Sequence, residues 1–197
     1  MARTEALLDA AQGLLLTRGP AGLTMAAVAD EAGVAVGGLY RYFAGKDAIL
    51  SALQVRAVHA FSQVLRKAIA TTDAPLDGVR AAAAAWPAFA ESEPELFALL
   101  DRSLSDPQPN LDDEAAAAVD GAVTQVLGQV TTLLEDAEQR GQLTAGDAQL
   151  RTHAVWAAVH GAAHFRKRQR LGGPSADEVL HTAVDGLLAG WATLSAS

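Results

Sequence analysis

Residues 33–43 read GVAVGGLYRYF, with two adjacent glycines ahead of three aromatic rings. Glycine in a helix costs about 1 kcal/mol relative to alanine, so a helix that only packs gains nothing from two in a row. Because Gly37 and Gly38 have no side chains, another molecule can come close to the backbone at this point. The pattern therefore indicates a contact surface rather than a purely structural helix.

Two short helices are predicted around this segment. Thr24 can cap the first of them, and Gly33 suits the left-handed conformation that ends it. A second short helix then runs over about 35–42, and a longer one opens near residue 45 and continues to about 69. Two short helices joined by AGV predict a helix-turn-helix, in which the second helix enters the major groove of DNA.

The stretch 5–55 resembles the DNA-binding domain of the TetR family of transcriptional repressors. The markers lie in LTMAAVADEAGVAVGGLYRYFAGKDAIL at 23–50. They are the leading Thr24, the VADEAGV turn, the LYRYF run and Lys46, which opens the next helix. These residue choices combine with the N-terminal position and the right spacing to identify the family.

The resemblance implies a domain division and a function. Residues 1–52 would form a three-helix DNA-binding domain, and 53–197 a larger helical domain that binds an effector and dimerises. We expect a homodimeric, ligand-responsive regulator that a small molecule releases from a palindromic double-stranded operator. The effector would bind within 76–165 and move the helix at 46–70, which carries the DNA-binding domain.

Specific DNA contacts are expected from the helix-turn-helix. The resemblance implies that two tyrosine hydroxyls, one cap hydroxyl and one cation at a helix N-terminus hold phosphates. Apolar side chains at the head of the recognition helix can touch thymine methyls, and Arg41 can bind guanine. The predicted DNA-binding residues are Thr24, Ala35, Val36, Gly37, Gly38, Tyr40, Arg41, Tyr42 and Lys46. The alternatives are that Tyr40 only packs and that Arg41 is a solvated surface charge.

The charge of the chain gives no general attraction to nucleic acid. The formal net charge is −8, from 15 Lys and Arg and 23 Asp and Glu. Residues 1–52 hold four cations (Arg3, Arg18, Arg41, Lys46) against five anions (Glu5, Asp9, Asp30, Glu31, Asp47). Affinity for DNA must therefore come from where the contacts are placed rather than from bulk charge.

Composition favours a helical protein of the cytoplasm. Half of the residues are hydrophobic but only 5% are aromatic, and alanine fills long stretches. There is no cysteine, which removes disulfides and thiolate metal sites. The N-terminus lacks the uninterrupted apolar core of a signal peptide, and no window is expected to reach the roughly 20 apolar residues of a membrane span. We expect no cofactor and no membrane partner.

Further helices are predicted on both sides of the helix-turn-helix. The first helix, capped by Thr4, ends in RGPAG at 18–22. Later helical patterns cover about 76–91, 94–105, 111–140, 146–170 and 175–195. The whole chain is therefore predicted to be all-α. The RKRQR cluster at 166–170 fits a helix C-terminus better than a nucleic-acid site.

The segment VWAAVHGAAHF at 155–165 resembles the Trp-x-x-x-His-Gly pattern of one group of TetR C-terminal domains. A helical projection of 153–166 separates two stripes, about 110° apart. The first stripe contains His153, Trp156, His160 and His164. The second stripe contains Ala154, Ala158, Gly161 and Phe165.

Each stripe has an expected partner. The histidine stripe is expected to face an organic effector together with Trp86, Phe89 and Phe97. The small-residue stripe is expected to pair two subunits together with Ala183, Gly186, Leu187 and Gly190.

Two alternatives stay open for the histidines, and two for the chain. The histidines can be satisfied core residues, or His160 and His164, four apart on one face, can bind a metal. The chain can be an all-helical metal-dependent enzyme or a carrier of apolar ligands. No nucleophile elbow, HExxH motif or phosphate loop is present, so we expect no enzyme.

Overall fold

The computed structural model describes residues 2–105, 113–165 and 172–193, without the side chains of 102–105, 115 and 164. These residues form helices joined by short loops, which confirms the predicted all-α class. The helices are α1 (Ala2–Gly22), α2 (Met25–Glu31), α3 (Val36–Leu39), α4 (Lys46–Ile69), α5 (Pro75–Ser92), α6 (Pro94–Ser105), α7 (Asp113–Gln139), α8 (Ala148–Phe165) and α9 (Ala176–Trp191). The predicted RKRQR helix end at 166–170 lies outside the described residues.

Two compact units make up the chain. The first contains Met1–Ala60 and Pro94–Val123, and the second contains Phe61–Glu93 and Thr124–Ser197. Helix α4 is continuous from one unit into the other. The predicted division into 1–52 and 53–197 stays a prediction.

The first helix is broken at its predicted end. Leu7, Leu8, Ala11 and Leu14 form its buried face, as the spacing of apolar residues predicts. Helical structure returns after Gly19, whose φ of 67° and ψ of −176° break the helix, and it then continues to Gly22. The RGPAG segment therefore ends the first helical stretch at Gly19, as predicted, and a short helical turn follows it.

The turn of the helix-turn-helix is fixed by local hydrogen bonds. Gly33 has a φ of 63°, and its N–H donates to the carbonyl of Asp30 at 3.0 Å. The N–H of Val34 donates to the carbonyl of Ala29 at 2.8 Å, which completes a Schellman motif. The expectation that Gly33 is left-handed and ends α2 is therefore confirmed.

The recognition helix is shorter than the predicted 35–42. Regular α-helix covers Val36–Leu39, and the chain then tightens into a turn. In this turn the N–H of Tyr42 donates three residues back, to the carbonyl of Leu39 at 2.9 Å. Two glycines within four residues give the helix little intrinsic stability, so an early end is expected physically.

Helix α4 corrects one expectation from the sequence. Over its 24 residues it is long and apolar enough to cross a membrane by length and composition, although no such window was expected. A core helix of a soluble protein passes the same test. The apolar side of α4 is buried at Ile49, Leu53, Ala57, Phe61 and Leu65, so the protein itself covers much of that surface.

Arg56 ties α4 to α1 within the first unit. Its guanidinium contacts the carboxylates of Glu5, at 2.8 Å, and Asp9. A further hydrogen bond from Arg56 reaches the side-chain oxygen of Gln12 at 3.2 Å. The carboxylates are largely exposed, so the contribution of these ion pairs to stability is small, but they fix the register of the two helices.

The second unit is built around α5, α8 and α9, which pack against one another. Trp86 and Phe89 of α5 are fully buried there. Helix α9 begins with a capping box between Ser175 and Glu178. The hydrogen bond from the backbone of Ser175, with one from its hydroxyl, lowers the pKa of the Glu178 carboxyl.

Candidate DNA-binding and effector sites

The helix-turn-helix presents alternating exposed and buried residues. Leu39 and Phe43 are buried and hold the recognition helix in place. The residues expected to touch DNA on either side of them are exposed: Ala35, Val36, Gly37, Tyr40, Arg41 and Tyr42. Tyr40 keeps 54% of its surface exposed and Tyr42 46%, which is unusual for large aromatic rings and favours a contact role over packing.

Neither glycine of the pair is required by the fold of the isolated chain. A Cβ atom added at Gly37 or Gly38 would meet no atom within 4 Å. Neither residue is among the described glycines with a positive φ. Neither backbone conformation nor crowding inside the chain therefore calls for glycine at these two positions, and close approach by DNA stays a prediction.

Thr24 and Lys46 mark the two ends of the helix-turn-helix. The Thr24 hydroxyl oxygen accepts a hydrogen bond from the N–H of Ala27 at 3.1 Å, which confirms the predicted cap of α2. That bond uses the oxygen only, so the hydroxyl hydrogen can be donated to a phosphate. The Lys46 ammonium donates to the carbonyl of Pro20 at 2.7 Å, and this exposed bond can be exchanged for a phosphate contact.

A small apolar cavity lies within the second unit, between four helices. Its volume is about 30 Å³, enough for about one water molecule. Side chains from α4, α5, α7 and α8 line it: Phe61, Leu65, Ala82, Ala83, Trp86, Val126, Leu127, Val130, Thr152, Val155, Trp156 and Val159. Ligand sites in proteins are commonly 300–1,000 Å³, so an organic ligand must enlarge this cavity.

Aromatic rings form one wall of the cavity and continue beyond it. The ring centroids of Trp86 and Trp156 are 5.4 Å apart, and those of Phe61 and Trp86 are 5.1 Å apart, both edge to face. His160 packs beside the two tryptophans, 4.1 Å from Trp156 and 4.8 Å from Trp86. Phe89 lies behind Phe61 at 5.5 Å. The structure thus brings together Trp86, Trp156 and His160 as predicted.

The remaining members of the predicted effector set are His153, Phe97 and His164. His153 is exposed near the start of α8, and its Nδ1 is 2.8 Å from the carbonyl oxygen of Gln149. The expectation that His153 faces inward with Trp156 is therefore wrong. Phe97 lies half-buried on α6, in the first unit. The side chain of His164 is outside the described residues.

Sequence reasoning missed the contributions of α4 and α7 to the cavity. Phe61 and Leu65 follow the four-residue spacing of the buried side of α4, so their burial could have been predicted. Val126 and Val130 show the same spacing on α7. That spacing does not predict that the two helices share one cavity. It identifies the buried side of each helix but not the helices that pack against that side.

The small-residue stripe of α8 lies on an accessible face together with residues of α9. Gly161, Gly186 and Gly190 are exposed, and a Cβ atom at any of them would meet no atom within 4 Å. The other predicted members are half-buried, except for Phe165, which is 43% exposed: Ala154, Ala158, Ala183 and Leu187. Leu150, 69% exposed, extends the stripe by one turn toward the N-terminus of α8 and was not predicted.

The described part of the chain contains no group of three or more His, Cys, Asp or Glu side chains that could hold a metal ion. The pair that the metal hypothesis needs includes His164, whose side chain lies outside that part. The hypothesis is therefore untested by the geometry, and the expectation of no metal stays a prediction.

The fold and the two sites define a class, that of helix-turn-helix proteins with a helical C-terminal domain. Residues 7–53 match the family described as bacterial regulatory proteins, tetR family. Residues 79–187 match the family described as tetracyclin repressor-like, C-terminal domain. The chain belongs to the TetR family, which confirms the resemblance found in the sequence.

Individual proteins agree with this assignment. The HTH-type transcriptional regulator BetI of Brucella anthropi is 34% identical over 79 residues, which cover 40% of this chain and 41% of that relative. A Rhodococcus sp. RHA1 protein of unknown function is 25% identical, with a TM-score of 0.76 over 97% of this chain and 96% of the other. A SmeT–triclosan complex is also 25% identical, with a TM-score of 0.70 over 98% and 93% of the two chains.

Proposed function

We propose that this protein is a homodimeric repressor that binds a palindromic operator and is released by a small molecule. It would act in the cytoplasm, without enzymatic activity and without a membrane partner. The DNA-binding domain would be 1–52 and the effector-binding and dimerisation domain 53–197. The relation to a family of regulatory proteins and to a ligand complex of SmeT supports this proposal.

One observation carries the proposal: α4 belongs to both sites. Its first residue, Lys46, closes the helix-turn-helix, and its residues Phe61 and Leu65 form part of the cavity wall. A ligand cannot enter about 30 Å³ without displacing a wall. Displacement of α4 along this continuous helix would reach the DNA-binding domain, where Arg56 links it to α1.

Pairing of two chains would use the accessible face of α8 and α9. Small residues at its centre let backbones approach closely, and the exposed Leu150 and Phe165 lie toward its two ends on α8. A dimer would place two recognition helices about 34–36 Å apart, one turn of DNA. The proposed DNA contacts are those predicted from the sequence, from Thr24 to Lys46.

Selection from a random DNA library with the full-length protein tests the function. We expect recovery of a sequence with two-fold symmetry, whose half-sites are separated by about one helical turn. The Arg41→Ala variant should bind it more weakly and with relaxed preference at one base pair per half-site, at a cost of about 1–3 kcal/mol for each contact. Arg66→Ala removes an equally exposed cation at the far end of α4 and is the matched control.

Two outcomes of that selection would contradict the proposal. One is recovery of no common sequence. The other is equal weakening by Arg41→Ala and Arg66→Ala, which would show that only bulk charge attracts the DNA.

A further inference from the structure

We propose that the effector is an uncharged, compact aromatic molecule that donates a hydrogen bond, as a phenol does. This inference rests on the proposed function, because it names the ligand class of the cavity between α4, α5, α7 and α8. Three properties of the cavity lead to it: the absence of charge among its described lining residues, the aromatic wall and the single hydroxyl.

The lining offers no partner to a charged group. Its described residues are aliphatic and aromatic except for Thr152, which is 1% exposed. An ionised carboxylate or phosphate placed there would lose its hydration without gaining an ion pair, which is strongly unfavourable. Anionic ligands are therefore expected to be excluded, although their apolar parts would fit as well as those of neutral analogues.

The aromatic wall favours a flat ring over a flexible chain. Trp86 meets Trp156 at an interplanar angle of 73° and Phe61 at 89°. When the cavity opens, an inserted ring can replace these edge-to-face contacts with contacts of the same kind. An alkyl chain of equal apolar area buries the same surface but cannot make edge-to-face contacts with the rings. It also loses more conformational freedom on binding.

The hydroxyl of Thr152 has acceptor capacity but little donor capacity left. Its oxygen lies 2.9 Å from the carbonyl oxygen of Ala148 and 2.9 Å from the hydroxyl oxygen of Thr131. The Thr131 hydroxyl also reaches the carbonyl of Leu127 at 3.2 Å. Three contacts thus share the two hydroxyl hydrogens, so a ligand that brings its own hydrogen matches the site and a pure acceptor does not.

Isothermal titration of the full-length protein, without DNA, tests the class with four probes. Naphthol is neutral and donates, methoxynaphthalene is neutral and cannot donate, naphthoate is anionic at neutral pH, and decanol donates but has no ring. We expect naphthol to bind most tightly, about two- to tenfold ahead of methoxynaphthalene, the usual range for one hydrogen bond. Naphthoate should bind at least about 100-fold more weakly than naphthol because its charge is buried without a partner.

Variants of the lining locate the binding. Thr152→Val should remove the advantage of naphthol over methoxynaphthalene while leaving the affinity for methoxynaphthalene nearly unchanged. Val130→Ile adds one methylene to a wall of the cavity and should weaken both neutral aromatic probes without lowering the melting temperature. Trp191→Phe is the control, because Trp191 is not among the described lining residues and lies beside Arg151, with 5.4 Å between the guanidinium carbon and the ring centroid.

The results separate this inference from the proposed function. Binding of naphthoate or decanol as tightly as naphthol would overturn the ligand class, and so would no binding of any probe. A protein that binds naphthol as expected but selects no operator sequence would support the class and contradict the repressor function. A protein that selects an operator sequence but does not bind naphthol would support the repressor function and contradict the ligand class.

Discussion

The helix-turn-helix surface and the apolar cavity differ in how ready they are to bind. On the surface, the tyrosines predicted to contact DNA are exposed, and a Cβ atom at either glycine of the pair would meet no atom within 4 Å. The cavity is small, about 30 Å³, and rings in edge-to-face contact form one of its walls. The proposed DNA-binding surface is therefore exposed in the single chain, whereas the proposed effector cavity has to be enlarged by its ligand.

This difference suggests how the two sites can be coupled. A ligand that fills a preformed cavity shifts no equilibrium unless it prefers one conformation over another. A ligand that must open a packed cavity binds only to the opened arrangement, so all of its binding energy favours that arrangement. Phe61 and Leu65 belong to the wall, and the proposed coupling requires that α4, rather than only α5, α7 or α8, moves when the cavity opens.

The largest expected effect is loss of specific DNA binding on replacing Gly38 with leucine. The side chain finds open space in the free chain, so folding and the melting temperature should be preserved. On DNA the leucine side chain would hold the backbone away from the base edges. The preference for operator over random DNA, roughly 1,000-fold or more in affinity, would then be lost. Titration of labelled operator measures this, with Gly128→Leu, at another open helical glycine, as the control.

Retention of operator affinity by Gly38→Leu would show that close approach of the backbone is not the reason for the glycine pair. Equal loss in Gly128→Leu would instead point to a general effect of the added leucine.

A comparable effect on assembly is expected for Gly186→Trp. The position is exposed in the single chain, and a Cβ atom there would meet no atom within 4 Å, so we expect the monomer to fold with the added side chain. Where two copies of α9 approach each other, the ring would overpack the contact by about 1–3 kcal/mol or more at each symmetric position. Light scattering should then find monomers at concentrations where the unmodified protein is dimeric.

Gly121→Trp provides the control, because Gly121 of α7 is equally exposed and open. If both variants stay dimeric, the interface is not on α8 and α9, and the exposed Leu150 and Phe165 need another partner.

What could be predicted from the sequence depends on how local each site is. The cap at Thr24 and the stop at Gly33 are formed within a few residues, and both were predicted correctly because their signals are local. The cavity joins residues from Phe61 to Val159, and no local signal specifies which helices meet there. Of its described lining residues, only Trp86 on α5 and Trp156 on α8 were predicted.

The error at His153 shows the limit of a helical projection. The projection gives the direction of a side chain around the axis, and Trp156 and His160 do face the cavity side. It does not say how far along the helix the neighbouring elements extend. His153 lies in the second turn of α8, where its ring turns back to the carbonyl of Gln149. A stripe can therefore be buried at one end and exposed at the other.

A smaller effect is expected for Lys46→Ala, on operator and random DNA alike. Removal of one phosphate contact should lower the slope of log K against log salt by about one unit. The exposed bond to the carbonyl of Pro20 contributes little to stability, so the melting temperature should hardly change. Lys67→Ala, which removes an exposed cation from the last turn of α4, should leave the slope unchanged. Weakening confined to the operator would contradict the assignment to phosphate.

The smallest effect is expected for His153→Ala, and its comparison with His160→Ala separates the two ends of the predicted stripe. An exposed side chain bonded only to its own turn should change the free energy of unfolding by no more than about 0.5 kcal/mol. His160 packs against Trp86 and Trp156, so its truncation should cost roughly 2–5 kcal/mol as a large-to-small change.

Both variants should still bind the operator, since the DNA contacts lie on the helix-turn-helix, but only His160→Ala should shift the response to effector. Denaturant titration and ligand-induced release measure these two properties. A response altered equally by His153→Ala would mean that the effector site extends to the exposed start of α8. The closed cavity would then not be the whole site, and the coupling through α4 would need a second route.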